Sequence, residues 1–279
     1  MRFAARFTRL SAIIRLMENI PVVMTFSGHD PCGGAGIQAD IETLASQGCH
    51  AAPVITALTV QDSHNVMEFT ALRATRIVTQ ARAVLEDMPV AAFKTGMLGS
   101  AENVAAIHSI LQDYPAIPLV VDPVLATGQG TSLGEPDLAQ AIRTLLLPHA
   151  TLVTPNSPEA CALAPGADSM DARALALLDL GVDYVLHTGA HEPTPHVVNR
   201  LYHARRKLES FTWERLPHSY HGSGCTLAAA IAGLLAHGLD VFGAVHEAQE
   251  FTWNALQHGY RPGMGQHLPD RLFWSTQDR

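Results

Sequence analysis

The run His221-Gly-Ser-Gly-Cys-Thr-Leu227 leads straight into the apolar segment Ala228–Gly238. Glycines at 222 and 224 let backbone N–H groups turn toward one point, and the dipole of a following helix adds partial positive charge there. A turn of this kind holds a phosphate, or the oxyanion of a moving phosphoryl group, without a charged side chain. Cys225 falls in the first helical turn, where the same polarity is expected to lower a thiol's pKa and favour the thiolate. The residues equally suit a tight turn with a small buried cysteine packed on a sheet, and the motif alone leaves both open.

A second glycine cluster runs from Gly28 through His-Asp-Pro-Cys-Gly-Gly-Ala-Gly-Ile-Gln-Ala to Asp40. Gly34-x-Gly36-x-x-Ala39 formally matches a dinucleotide fingerprint. It starts too far beyond the preceding strand, however, and Gln61 stands where the ribose-binding acid is expected. No GxxxxGK[ST] occurs, which excludes a Walker P-loop, and no GxSxG elbow supports a serine hydrolase. Asp122 and the group Asn156-x-x-Glu159 follow successive strand patterns. Hard oxygen ligands there would suit Mg²⁺ beside nucleotide phosphates. Helix capping or turn formation would also use them, Asn156 being a natural N-cap before Pro158-Glu159. Among the 15 histidines, His187, His191 and His196 are close in sequence, but a strand followed by a proline-rich loop spaces them badly for one zinc.

The elements that must position these residues alternate along the chain. Strand patterns cover residues 21–26, 52–58, 91–95, 119–122, 151–154 and 184–188. Helical periodicity covers 33–46, 75–87, 101–112, 136–147 and 170–180. Residues 199–213 read as a β-hairpin, and two long helices over 224–237 and 240–258 close the chain. Strands alternating with helices specify a mostly parallel sheet with helices on both faces. Ligands then sit beyond the carboxyl ends of the strands, which is where the motifs above fall.

Composition limits the alternatives. Of 279 residues, 47% are hydrophobic and 16% charged, enough apolar material for one sizeable α/β domain and too much for a disordered chain. A net charge of −8 with no basic stripe argues against a nucleic-acid partner. Four scattered cysteines give neither a disulfide framework nor a CxxC zinc ribbon. The longest apolar run, Thr226–Ala236, is short of the roughly 18–20 residues a bilayer needs. These features read as a soluble, cytoplasmic, single-domain protein. The first twenty residues carry four arginines and no acid before Glu18, without the apolar core of a secretory signal. An organellar transit peptide fits that charge pattern better than a secretory one. The reading adopted is an extension over residues 1–20, ahead of a domain spanning 21–279.

Six ordered segments together resemble the hydroxymethylpyrimidine/phosphomethylpyrimidine kinases of the ribokinase superfamily. They are Ser27-Gly-His-Asp-Pro-Cys-Gly-Gly-Ala-Gly-Ile-Gln-Ala-Asp40, Val54-Ile-Thr-Ala-Leu-Thr-Val-Gln61, Lys94-Thr-Gly-Met-Leu-Gly99, Asp122-Pro-Val124, Thr154-Pro-Asn-x-Pro-Glu-Ala160 and His221-Gly-Ser-Gly-Cys-Thr-Leu227. The resemblance implies a ribokinase-like α/β fold, with ATP as co-substrate and Mg²⁺ as cofactor. It further implies phosphorylation of 4-amino-5-hydroxymethyl-2-methylpyrimidine and then of its monophosphate, by a homodimer in the cytoplasm. By position, Gln61 would bond the aminopyrimidine edge, with Asp40 and Gly28 as neighbours and Met97 and Val124 as apolar walls. Cys225 stands where most of the superfamily has an aspartate base, and Gly222 and Gly224 would form the anion hole. Thr188, Gly189, Ser223 and Asn156 fall at the nucleotide phosphates, and Glu159 and Asp122 at the metal. The chain departs from many relatives in having Thr188-Gly-Ala-His191 for Lys-Gly-Gly-His, and no lysine in the loop after Asp122, so fixed positive charge is missing. Alternatives are a pyridoxal/pyridoxine kinase and a non-catalytic pyrimidine-binding regulator.

Overall fold

A computed structural model describes residues 20–126, 133 and 137–276. Its frame is a nine-stranded sheet in the order β3-β2-β1-β4-β5-β6-β7-β8-β9. The strands are β1 (Val22–His29), β2 (His50–Gln61), β3 (Val66–Ala71), β4 (Val90–Thr95), β5 (Leu119–Val121), β6 (Leu152–Val153), β7 (Tyr184–His187), β8 (His196–His203) and β9 (Arg206–Glu214). The six strands from β2 to β7 in that order run parallel. Antiparallel strands finish both edges, β3 on β2 at one side and the β8–β9 hairpin on β7 at the other.

The central strands are apolar on both faces, as a sheet covered on two sides requires. Val22, Met24, Phe26, Phe93 and Val121 point to one side. There they pack under α2 (Ala74–Leu85), α3 (Ala101–Leu111), α5 (Ser157–Leu163) and α6 (Met170–Leu178), together with the short α4 (Leu138–Ala141). Val23, Ala92, Val120, Leu152 and Leu186 point to the other, beneath α1 (Gly36–Ser46), α7 (Ser223–Ala236) and α8 (Val241–Gln257). Nine consecutive residues of α7, Thr226–Leu234, are buried, so the apolar segment that is too short for a membrane serves as a core helix. Among the described residues no helix is long and apolar enough to cross a membrane.

Two local departures from the sequence expectations have physical causes. The helix expected over 136–147 is broken. After α4 the backbone opens into a π turn over Ile142–Leu146 and tightens to a 3₁₀ turn at Leu147–His149, where Pro148 supplies no amide to continue the ladder. The Pro136 expected to start that helix lies outside the described residues. The edge strand β3 was not expected, because its half-exposed residues give little alternation. It forms because Asp62 Oδ1 accepts the His64 and Asn65 amides at 2.8 and 3.0 Å and turns the chain back on β2. That hairpin extends β2 to Gln61 and brings it to the rim of the carboxyl-end cleft. The expected extension over 1–20, apart from Ile20, also lies outside the described residues.

Candidate active site

A cleft of about 540 Å³ opens across the carboxyl ends of the strands. Its lining includes Gly28, Gln61, Met97, Asp122, Val124, Asn156, Glu159, Thr188, Gly222, Ser223, Gly224 and Cys225. Two expected site residues do not line it. Asp40 is fully buried beneath the floor, where its carboxylate accepts from Lys94 Nζ at 2.8 Å and Ser27 Oγ at 2.7 Å. Gly189 is not among the lining residues, and its amide is committed to the cleft-lining Asn199, donating to Oδ1 at 2.9 Å. Asn199 in turn donates to Gln249, so this glycine fixes the start of the β7–β8 connection.

The glycine turn is built as its sequence suggests. Gly222 caps α7 at φ +87°, and a Cβ there would lie 1.8 Å from the Gly34 carbonyl oxygen, so only glycine fits. No side chain caps α7 or α1. The two helix starts meet at the cysteine: the Gly36 amide donates to Cys225 Sγ. Arg271, buried near the chain's end, ties the turns together. Its guanidinium donates to the Gly34 carbonyl at 2.5 Å, to Thr226 Oγ1 at 2.9 Å and to Glu42 at 2.9 Å. Sequence reasoning missed Arg271, which no local pattern connects to either glycine cluster.

The expectation of a lowered thiol pKa is overturned. Burial, reinforced by Asp122 and Asp40, pushes the Cys225 thiol up to about 11, against the opposing pull of the Lys94 ammonium and the Gly36 amide. Desolvation and two carboxylates outweigh the helix ends, and the group is a thiol at neutral pH. Lys94 has the opposite balance. Burial disfavours its charge, but Asp40, Cys225 and Asp122 surround it and hold its pKa above the ordinary lysine value. Its ammonium is committed to Asp40 and, at 3.2 Å, Ser27, so its charge reaches the cleft only through the floor.

Asn156 and Glu159 form a reciprocal capping box at the start of α5: Asn156 Oδ1 accepts the Glu159 amide and Glu159 Oε2 accepts the Asn156 amide, each at 3.0 Å. Capping and cleft lining are therefore combined in one pair. Burial raises the pKa of Glu159, and the neighbouring Asp122 charge raises it further. Burial raises Asp122 too, against the pull of Lys94. Asp122 Oδ2 is buried with no hydrogen-bond partner. Two close, desolvated carboxylates, one with an unsatisfied oxygen, are the donor set a hydrated Mg²⁺ would satisfy. The residues fit that ion.

Toward β3 the cleft is lined by the mutually packed apolar side chains of Met97, Val124, Leu133 and Val66, together with Gln61. Toward β9 it is lined by Trp213, Trp253 and Arg215, none of which sequence reasoning singled out. Arg215 donates to the carbonyls of Ala190, Glu192 and Thr194, holding the β7–β8 connection over this end. Thr188 donates to the Pro155 carbonyl at 3.4 Å. His187 is buried in the sheet, and burial lowers its pKa to about 4, so it is a neutral core residue.

The model of the family described as phosphomethylpyrimidine kinase matches residues 30–270. The chain belongs to the phosphomethylpyrimidine kinase family. It is 38% identical over 259 residues to the hydroxymethylpyrimidine/phosphomethylpyrimidine kinase of Mycobacterium tuberculosis, covering 91% of this chain and 94% of that one. It is 36% identical over 248 residues to the chloroplastic thiamine biosynthetic bifunctional enzyme of Arabidopsis thaliana, covering 87% of this chain but only 48% of that longer protein. Among solved structures, phosphomethylpyrimidine kinase from Clostridium difficile superposes with a TM-score of 0.74 at 32% identity, covering 85% of this chain and 99% of that one. Pyridoxal kinase from Staphylococcus aureus in complex with AMP-PCP and pyridoxal superposes with a TM-score of 0.84 at 28% identity, covering 92% and 96%. The fold is ribokinase-like, and membership of this family makes the chain a kinase.

Proposed function

We propose that the chain transfers the γ-phosphoryl group of ATP, with Mg²⁺, to 4-amino-5-hydroxymethyl-2-methylpyrimidine and then to the resulting monophosphate. The observation that supports this most is the meeting of three features in one cleft. These are an apolar end that also carries the Gln61 amide, a thiol at two converging helix starts, and a pair of desolvated carboxylates. Gln61 can donate to and accept from an aminopyrimidine edge, while Met97 and Val124 hold the ring faces. The carbinol then points toward Cys225. The amides of Ser223 and Gly224 face the phosphoryl oxygens, where the charge of the transition state gathers. Asp122 and Glu159, with Asn156 behind them, would hold Mg²⁺, which supplies neutralising charge to the phosphates when bound. A β9-end lined by Trp213 and Trp253 suits a stacked adenine.

A coupled assay with the hydroxymethylpyrimidine, its monophosphate and pyridoxine side by side tests the reading. Turnover of both pyrimidines, with pyridoxine at least about tenfold poorer in kcat/KM, is the expected result. A preference for pyridoxine would transfer the site to the reaction of the pyridoxal kinases it superposes on, and ligand binding without any phosphate transfer would make it a regulator. Gel filtration tests the expected homodimer.

Two further results are expected at named residues. Gln61→Ala should raise KM for the pyrimidine about ten- to a hundredfold while KM for ATP moves little, since two hydrogen bonds to the ring are lost. Equal changes in both would remove Gln61 from substrate recognition. The carboxylates should be visible in stability. Because folding raises their pKa values, the unfolded chain releases these protons at lower pH than the folded one. Between the two, stability falls as pH rises. Mg²⁺ replaces those protons, so its stabilising effect should grow from pH 6 to pH 8. Glu159→Gln keeps the capping acceptor and should flatten both trends. Thermal melts across that range with and without Mg²⁺ check this, and an unaltered Mg²⁺ effect in Glu159→Gln would assign the ion elsewhere.

A further inference from the structure

Beside the glycine turn, and outside the roles given above, Asp30, Cys32 and His221 place three ligand atoms within 4.8 Å of one another. Among the described residues this is the one group of three or more His, Cys, Asp and Glu side chains compact enough to share an ion. Asp30 Oδ2 lies 3.3 Å from Cys32 Sγ and 2.9 Å from His221 Nε2. Those separations are close to the edges of a tetrahedron of ligands around a small ion with metal–ligand bonds of roughly 2.0–2.3 Å. Asp30 is buried, and its orientation is set by the amides it accepts from Cys32 at 2.9 Å and Ala35 at 2.8 Å. His221 reaches it because Gly34 has no side chain: a Cβ there would lie 2.4 Å from the imidazole. The three residues come from two distant parts of the chain, so their convergence is a product of the fold. Cys32 does not line the cleft, whereas His221 does, and the imidazole forms one wall of an approach from the cleft side.

We propose that Asp30, Cys32 and His221 form a second cation site, selective for a borderline-soft divalent ion such as Zn²⁺ and distinct from the Mg²⁺ carboxylates. One thiolate, one imidazole and one carboxylate with a fourth position toward the cleft is the donor set of an open zinc site, and hard Mg²⁺ is disfavoured by sulfur. Binding forms the metal–sulfur, metal–Nε2 and metal–Oδ2 bonds. The thiol proton leaves to solvent, and the imidazole proton moves to Nδ1, so one proton is released per ion. Occupancy would join the loop after β1 to the start of α7, clamping the two glycine turns against each other.

Co²⁺, titrated into the reduced full-length protein without nucleotide, is the probe. One equivalent should produce a thiolate-to-cobalt charge-transfer band together with the intense visible bands of a tetrahedral ion, both removed by Zn²⁺. Zn²⁺ should raise Tm by several degrees, as any ligand bound only by the folded state does. Cys32→Ser keeps the side chain's size. It should fold with an unchanged metal-free Tm, lose the charge-transfer band, and bind Zn²⁺ at least about a hundredfold more weakly, loss of a ligand costing no less than loss of its supporting partner. Cobalt bound without a thiolate band, or Zn²⁺ affinity unchanged in Cys32→Ser, would overturn the proposal. The second outcome would assign any thiolate signal to Cys49, Cys161 or Cys225. None of these readouts depends on phosphoryl transfer.

Discussion

Cys225→Ser should leave a folded enzyme whose kcat is lower by about 10²–10⁴-fold, the usual contribution of a positioned base. The substitution keeps a small polar side chain at the first turn of α7, so stability should move by no more than about 1 kcal/mol. The chemistry is lost because the serine hydroxyl is a far weaker acid than the thiol and cannot supply an anion at accessible pH. Cys225 is itself protonated at neutral pH, its pKa pushed up to about 11 by burial and by Asp122 and Asp40. To take the carbinol proton it must first lose its own to solvent. Two consequences separate this mechanism from a merely structural cysteine. The wild-type rate should climb with pH from 6 to 9 without levelling, since the reactive thiolate fraction grows until the thiol's pKa is reached. That slope should vanish in Cys225→Ser. Near-normal turnover in the variant, or a pH profile unchanged in shape, would remove the sulfur from proton transfer.

The sequence was most informative where function is written in backbone. Gly222, Gly224 and the Asn156–Glu159 pair belong to local motifs, and local motifs fix local geometry: a positive φ here, a capping box there. The alternation of strands and helices likewise specified the parallel sheet, and with it the edge on which a cleft must open. What stayed hidden depends on long-range juxtaposition. The thiol pKa is an example. The helix start alone argues for a lowered value, and burial in the folded chain, reinforced by Asp122 and Asp40 from distant segments, reverses it. Arg271 is another, since nothing near it in sequence discloses that it bonds Gly34 and Thr226. Asp40 stands at the correct end of its motif but acts from below the cleft floor. Burial of that kind cannot be read from a helix on which Ile41 is exposed while Leu44, one turn on along the same side, is fully buried.

Asp40 leads to the largest stability effect expected in this protein. Lys94→Met should lower stability by about 3–5 kcal/mol, because it leaves the Asp40 carboxylate buried and uncompensated rather than because the ion pair is itself strongly favourable. Both side chains are fully buried, and the pair's other hydrogen-bonding partner is the equally buried Ser27. A domain of this size should show the loss as a fall in Tm on the order of 10 °C. The double variant Lys94→Met/Asp40→Leu should recover most of it, since an apolar pair of similar volume is often no less stable than a buried ion pair. Turnover should not recover with stability. The ammonium of Lys94 opposes the forces that hold the Cys225 proton, and it partly offsets the burial that raises Asp122. Without it the thiol binds its proton more tightly, loss of Asp40 in the double variant returning only part of the difference, and proton transfer slows even in a well-folded protein. Chemical denaturation together with kcat for the two variants distinguishes the roles. If the double variant regains stability and full turnover together, the buried charge is only structural, and the glycine turns alone supply the field that draws the carbinol proton away.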